Sequence, residues 1–327
     1  MAMRLDNKTI FIAGASGTAG SAIVKRLLEA YPSIRIRAST YATPPFFQDN
    51  RVEWLPCDLR LLKDCRALAH ACDCGVLCAA TTAGARALLS APWEQVNDNV
   101  IINSNLLLAM HREKIRRTVF FSTASVYQEF DGFIREDQLD MNVEPHPAYK
   151  GVGWANRYLE KLCSFWHETS GIDILILRPS NIFGPYDKFD ERRSHFIPAL
   201  IRRAFQKASP FEVWGGPEVV RDVVFSDDVA AAAVLALEKT DIHFDVFNIG
   251  SGAQTSVAQA VEWVLECAAH SPDKIVYVQG KPATIRLRAL DCSKSKKALG
   301  WEPVCSVKEG IRRTCVWWKE HEHAWEK

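Results

Sequence analysis

Short continuous apolar runs alternate along the first half of the chain with longer stretches whose apolar positions recur every three to four residues. Runs at 9–13, 34–38, 52–57, 75–80, 118–121 and 172–177 read as strands buried on both faces. Between them, 18–30 carries Ile23, Leu27 and Leu28 at helical spacing, and 61–70, 93–112 and 149–168 read as further helices. Strand–helix alternation at this spacing predicts an α/β fold built on a doubly wound parallel sheet. After Arg178 the pattern loosens into prolines, glycines and charges. Segments 223–239 and 244–250 look as if they return to the sheet. The expected division is a dinucleotide-binding unit over 1–180, with returning segments near 223–250, and a smaller C-terminal substrate-binding unit over 181–327.

The chain of 327 residues is 48% hydrophobic, enough for a large core, and its net charge of +1 gives no footing for a nucleic-acid or membrane-surface partner. No apolar run approaches the length of a membrane span and no secretory leader is evident at the start, so a cytoplasmic protein is expected. Of the ten cysteines, Cys72, Cys74 and Cys78 cluster, but no partner pair follows at zinc-site spacing. They read as free thiols, with no metal expected.

The strongest local signal is Gly14-Ala-Ser16-Gly17-Thr18-Ala-Gly20, directly after a strand and opening a helix. Gly14 permits the tight turn, Gly17 lets backbone approach a pyrophosphate, and Gly20 lets helix and strand pack closely. The free N–H groups and positive dipole end of the helix then face the phosphates. Ser16 and Thr18 join this cradle. At the end of the second strand an acid would hold the ribose hydroxyls of NAD, but Arg37-Ala-Ser39-Thr40 carries none. Arg37, Ser39 or Thr40 receiving a 2′-phosphate favours NADP, with NAD the alternative. Asp58 and Leu59 are expected near the adenine, and Ala79, Ala80 and Thr81 along the dinucleotide.

The spacing G-x-x-G-x-x-G resembles that of short-chain dehydrogenase/reductases. Further segments extend the likeness over nearly the whole chain: Phe121-Ser-Thr123-Ala-Ser125-Val-Tyr127, Pro147-Ala-Tyr149, Arg178-Pro179-Ser-Asn181-Ile-Phe-Gly184-Pro, Ser194-His195-Phe-Ile-Pro, Arg221-Asp-Val-Val-Phe-Ser-Asp-Asp228, Asn248-Ile-Gly250, Lys281-Pro-Ala-Thr-Ile-Arg286 and Leu299-Gly-Trp301. Together they resemble the extended, sugar-nucleotide-modifying branch, NAD(P)-dependent epimerases, reductases and dehydratases of Rossmann fold, and within it are most similar to the GDP-fucose synthases.

The resemblance implies that Thr123 hydrogen-bonds the reacting sugar oxygen and that Tyr149 exchanges a proton with it while hydride moves to or from nicotinamide. It implies that Tyr149 and Pro179 also line the cofactor, that Asn181 and Arg221 bind the nucleotide diphosphate, and that His195, Arg202, Trp214 and Arg286 contribute to the substrate site. The forked donors of Arg221 suit a diphosphate; a surface ion pair is the plainer reading. It further implies a homodimer formed through the helices at 93–112 and 149–168.

Three positions depart from the family pattern. The tyrosine is normally followed four residues later by a lysine that holds the nicotinamide ribose and supplies positive charge; here that position is Gly153. Lys150 lies about 100° around the helix and cannot simply substitute. Either the helix starts late, or space beside the nicotinamide is left for water, a reoriented Lys150 or a distant cation. Dehydratases carry Asp-Glu after the threonine, whereas Ala124 and Ser125 stand here, so dehydration is not expected. Ser125 also replaces the cysteine of the double epimerases, while His195 is present as an acid/base, a positioning group or a structural histidine.

The sequence therefore predicts an NAD(P)-dependent 4-reductase or 4-epimerase of a nucleoside-diphosphate sugar, GDP weakly favoured, with Thr123, Tyr149, Ser125 and His195 at its centre. The alternative is a binding protein without turnover, because of Gly153.

Overall fold

The computed structural model describes residues 4–82, 92–190, 193–278 and 289–325. Seven strands form the main sheet: β1 (Thr9–Ala13), β2 (Arg35–Thr40), β3 (Val52–Pro56), β4 (Cys74–Leu77), β5 (Arg117–Phe121), β6 (Asp173–Pro179) and β7 (Phe244–Ile249). Their order is β7-β6-β5-β4-β1-β2-β3, and every neighbouring pair is parallel. The chain winds outward from β1 in one direction and then from β4 in the other. A crevice at the carboxyl ends of the strands results at that reversal, where sheets of this kind bind ligands.

Helices α1 (Thr18–Ala30), α2 (Leu62–Ala69), α3 (Pro92–Arg112), α4 (Lys150–Ser170), α5 (Phe196–Phe205), α6 (Ser226–Glu238), α7 (Val257–Cys267), α8 (Ser293–Leu299) and α9 (Val307–His321) complete the described framework. None of the described helices is long and apolar enough to cross a membrane. Alternation along β1 sends Ile10 and Ile12 to the face covered by α1 and α6, and Phe11 and Ala13 to the face covered by α2, α3 and α4. Burial on both faces is why these strands read as unbroken apolar runs. A third core gathers Phe189, Ile201, Phe211, Val261, Ile311 and Trp318 from α5, α7, α9 and the segments between them, beside the carboxyl ends of the sheet.

The two segments expected to return to the sheet do so differently. Phe244–Ile249 adds the strand β7 beside β6. Of 223–239, Val223–Phe225 pairs with Asn181–Phe183 in a separate ribbon, and the rest is α6, packed on the sheet beside α1. Its alanine-rich interior favours helix, and Asp227 and Asp228 in its first turn complement the helix dipole.

Gly14 and Gly20 fix how α1 meets β1. Gly14 has φ +88, and a Cβ there would lie 2.6 Å from the Ala79 Cα; a Cβ at Gly20 would overlap the Gly14 carbonyl oxygen and lie 2.7 Å from the Ala15 Cα. At Gly17 a Cβ would meet only the Gly14 oxygen, at 3.4 Å. Gly20→Ala should therefore destabilise the protein by about 1–3 kcal/mol through forced displacement of backbone. Gly17→Ala should leave thermal unfolding almost unchanged, and equal melting temperatures for the two variants would contradict the packing described.

Candidate active site

The glycine loop is shaped for an anion. Gly17 precedes α1, no side chain caps that helix and no acid stands in its first turn, so its leading N–H groups are available to phosphate. Gly14 is held by its N–H donating to Ser39 Oγ at 2.8 Å, and the open side of Gly17 is where a pyrophosphate fits. Ser16 is buried and Thr18 half-buried at the same helix start. Opposite, Thr81 is fixed by paired bonds with Asn99 of α3: its N–H donates at 2.7 Å and its carbonyl accepts at 3.2 Å. Ala79 lies against Gly14 and Ala80 is exposed. The loop thus fits the dinucleotide that the sequence predicted.

At the adenosine end the expected residues have partners within the protein. Arg37 stands in register with Glu53 of β3, pairs with it at 3.0 Å and donates to the His70 carbonyl at 2.7 Å. It is thereby engaged away from the crevice. Ser39 supports the glycine loop, and Thr40 Oγ1 reaches the Leu55 carbonyl at 3.5 Å. Asp58 is gripped by Arg60 through Nε and Nη2, both at 2.9 Å, and its carboxyl is held below the usual carboxylate range by that hydrogen bonding. Leu59 is buried. Arg60 also donates to the Tyr41 hydroxyl at 2.8 Å. Neither Arg60 nor Tyr41 was singled out in the sequence, because nothing in the local pattern tells an exposed arginine beside a strand end from any other.

Beyond the loop, Thr123, Ser125, Tyr149, Pro179, Asn181 and Arg221 line one small cleft. Thr123 follows β5 and opens a turn of 3-10 helix, Ala124–Val126, accepting the Ser125 N–H; its hydroxyl lies 3.3 Å from Ser125 Oγ. Tyr149 is the residue on which α4 starts. Beneath them lies a buried charge network. Arg178 of β6 grips Glu160 of α4 with Nε at 2.9 Å and Nη2 at 2.6 Å, and Ser122 donates to the same carboxylate. Arg178 also donates to the Tyr127 hydroxyl at 2.9 Å, which donates to Asn248 of β7 at 2.6 Å. On the other wall, Asp222 accepts from the Leu290 N–H, the Ser251 N–H and the hydroxyls of Ser251 and Ser180. Asn181 donates to the Asp222 carbonyl at 3.1 Å.

The position of the missing lysine is closed. α4 runs unbroken from Lys150, so the helix does not start late, and no space is left beside Gly153. A Cβ there would stand 2.6 Å from both the Ser125 carbonyl oxygen and the Pro145 Cβ. The segment carrying Pro145 is clamped onto α4: Arg157 donates to the Val143 carbonyl at 2.6 Å, Trp154 to Glu144 at 2.7 Å, and Pro145 bridges to Gln128. Lys150 turns outward to Glu144 at 3.5 Å and is 63% exposed. Sequence reasoning missed Pro145, because its contact with Gly153 is tertiary.

Other expected substrate residues are less directly placed. His195 precedes α5 half-buried; burial, aided by the charge of Lys188, pushes its imidazole down to about 4, so it is neutral at pH 7. Arg202 on α5 has a buried Nε without a partner among the described residues. Trp214 ends the strand Phe211–Trp214. None of these three lines the cleft around Tyr149. Arg286 lies outside the described residues. Asp187, not foreseen, is 3% exposed, lies near the Thr18 hydroxyl at the start of α1 and accepts the Lys188 N–H at 2.7 Å. Its Oδ2 has no partner among the described residues, and burial raises its carboxyl to about 7.

Residues 10–250 match the family model described as the NAD dependent epimerase/dehydratase family. The chain belongs to that family. The curated relatives include the GDP-L-fucose synthase of Escherichia coli, 26% identical over 97% of this chain and 98% of the relative. The UDP-glucuronate 4-epimerase of Thermodesulfobacterium geofontis is 30% identical over 74% of this chain and 71% of its own. Among solved structures, the UDP-glucose 4-epimerase of Thermotoga maritima, crystallised with UDP-glucose, shares the fold at a TM-score of 0.85, with 23% identity over 96% of this chain and 99% of that one. Members of the family thus act on both GDP- and UDP-sugars, and the seven-stranded sheet of this chain is the family's Rossmann sheet.

The raised carboxyl of Asp187 has a sign. Its folded value of about 7 exceeds the unfolded 3.8, so the group disfavours folding as pH rises through that interval, and does so fully above it. Asp187→Asn should raise the melting temperature relative to the parent at pH 8.5, and the gain should shrink to about half or less at pH 5. A gain independent of pH in paired thermal scans would show that Asp187 carries no such burden.

Proposed function

We propose that this chain is an NAD(P)-dependent enzyme that oxidises or reduces C4 of a nucleoside-diphosphate sugar, as a 4-epimerase or 4-reductase. The observation that carries the reading is the convergence of Thr123, Ser125, Tyr149, Asn181 and Arg221 on one cleft. That cleft lies at the carboxyl ends of β5 and β6, beyond a glycine loop open to a pyrophosphate. When bound, the nicotinamide supplies or accepts the hydride. Tyr149 gives a proton to the C4 oxygen as a ketone is reduced and takes one back as an alcohol is oxidised, and Thr123 fixes that oxygen by hydrogen bonding. Ser125, hydrogen-bonded to Thr123, lines the sugar site. His195, neutral and outside the cleft lining, acts on the sugar only through a bound substrate that reaches it.

Of the groups expected at a 2′-phosphate, Arg37 and Ser39 have other partners, so the case for NADP over NAD rests on Thr40. GDP- and UDP-sugars are both candidates, with GDP supported by relatives that align over nearly the full chain. A homodimer through α3 and α4 is supported by the exposed Trp93, Tyr158 and Phe165 on those helices, 66%, 51% and 54% accessible. A cytoplasmic location remains the expectation for such an enzyme.

A second reading is favoured by one observation: Pro145 and the Ser125 carbonyl shut out a lysine at 153. On that reading the protein binds its dinucleotide and sugar nucleotide without turnover.

Purified protein incubated with NAD or NADP and a panel of GDP- and UDP-sugars should show nicotinamide absorbance changes or C4-epimeric product. Tyr149→Phe should slow either by at least about 100-fold. Turnover indifferent to that substitution would remove Tyr149 from the chemistry, and cofactor binding without turnover would establish the second reading. Gly153→Lys should not accelerate the enzyme and should lower its melting temperature, because the new side chain collides with backbone. A faster, equally stable variant would show that the lysine site is open. Sedimentation should report a dimer that Tyr158→Glu weakens; an unaffected monomer counts against the interface.

A further inference from the structure

We infer that Arg221 supplies, at the Tyr149 hydroxyl, the positive charge that the family's lysine supplies from position 153. The inference rests on the C4 chemistry proposed above and assigns to Arg221 a role beyond the diphosphate contact that the family resemblance implies.

The guanidinium of Arg221 lies close enough to the Tyr149 hydroxyl for the two groups to interact electrostatically, and the two side chains share the cleft with Thr123 and Ser125. Its backbone is fixed in the strand Val220–Arg221, with Arg221 opposite Thr255, and its guanidinium carbon lies 4.9 Å from the centre of the Phe196 ring. Asp222, the next residue, directs its carboxylate to Leu290, Ser251 and Ser180. The Nε of Arg221 is buried and has no partner among the described residues. A planar guanidinium can hold the tyrosine with one N–H and a phosphate or sugar oxygen with another, which an ammonium on a flexible stem cannot do as well.

Among the described residues, three other cations of this region are engaged elsewhere. Lys150 faces Glu144 at the surface. Arg157 donates to the Val126 and Val143 carbonyls. Lys188 donates to Thr82. The groups facing Tyr149 from the surrounding elements are His146 on the preceding turn, with ring centres 6.0 Å apart, the hydroxyls of Thr123 and Ser125 after β5, Asp222 in the far wall, and Arg221 itself. Arg221 is the one cation of this set that stays charged throughout the working pH range.

The physical role follows. When Tyr149 gives its proton to the sugar oxygen, its O–H bond breaks and the electron pair stays on the phenolic oxygen as negative charge. A cation beside that oxygen stabilises this state and so lowers the barrier to transfer. On the reverse step the proton returns from the sugar hydroxyl to the same oxygen.

Two measurements test the assignment. In steady-state kinetics, Arg221→Gln should lower kcat by at least about 100-fold, Arg221→Lys should recover part of the loss, and Arg221→Gln should add nothing to kcat in a Tyr149→Phe background. A rise in KM with kcat unchanged, or losses that multiply in the double variant, would overturn it and leave Arg221 as a diphosphate ligand only. In the ligand-free protein, ultraviolet difference titration against Tyr149→Phe isolates the phenol of Tyr149. Arg221→Gln should move its midpoint to higher pH, and an unmoved midpoint overturns the assignment. This second readout needs no turnover, so it separates failure of the arginine's role from failure of the proposed reaction; melting temperature confirms that each variant is folded.

Discussion

The site depends on one buried ion pair. Arg178 of β6 and Glu160 of α4 meet in a two-pronged contact, each almost wholly removed from water. Burying either charge alone is costly, and removing one partner of such a pair typically destabilises by about 3–5 kcal/mol. The pair is tolerated because its remaining capacity is satisfied by Ser122, Tyr127 and, through Tyr127, Asn248. Those contacts reach from β5 across β6 to β7. They set the angle between α4, which carries Tyr149 at its start, and the end of β5, which carries Thr123. The placement of Tyr149 relative to Thr123 is thus supported from the core by a charge network as well as by the loops on which they stand.

The opposite wall is held by a second carboxylate. Asp222 collects hydrogen bonds from residues far apart in the chain, and burial raises its carboxyl above the usual range. It ties Ser180 after β6, Ser251 after β7 and Leu290 to the strand bearing Arg221. The cleft is therefore closed between two polar hubs, one in each wall, with apolar cores behind both.

Much of this was legible in the sequence. The strands were readable because burial on two faces leaves unbroken apolar runs, and Gly14, Gly17 and Gly20 were readable because each fulfils a different steric demand. Boundaries moved by one or two residues; the second strand, read at 34–38, runs Arg35–Thr40. Thr123, Tyr149, Asn181 and Arg221 were found through motif resemblance and do converge. What stayed hidden was pairwise and long-range. Arg37 is drawn to Glu53 on the next strand, Asp187 reaches Thr18 across more than half the chain length of the first unit, and Pro145 fills the place beside Gly153. Arg37 and Glu53 lie 16 residues apart and Asp187 and Thr18 169 apart, and even Pro145, eight residues from Gly153, meets it only because the chain doubles back onto α4.

The contact between Gly153 and Pro145 also constrains descent. With proline seated against α4, any residue bearing a side chain at 153 meets resistance, so a lineage with this arrangement cannot regain the lysine by one substitution. The loop must first withdraw. Glycine at 153 and proline at 145 are thus a coupled pair, to be exchanged together or not at all.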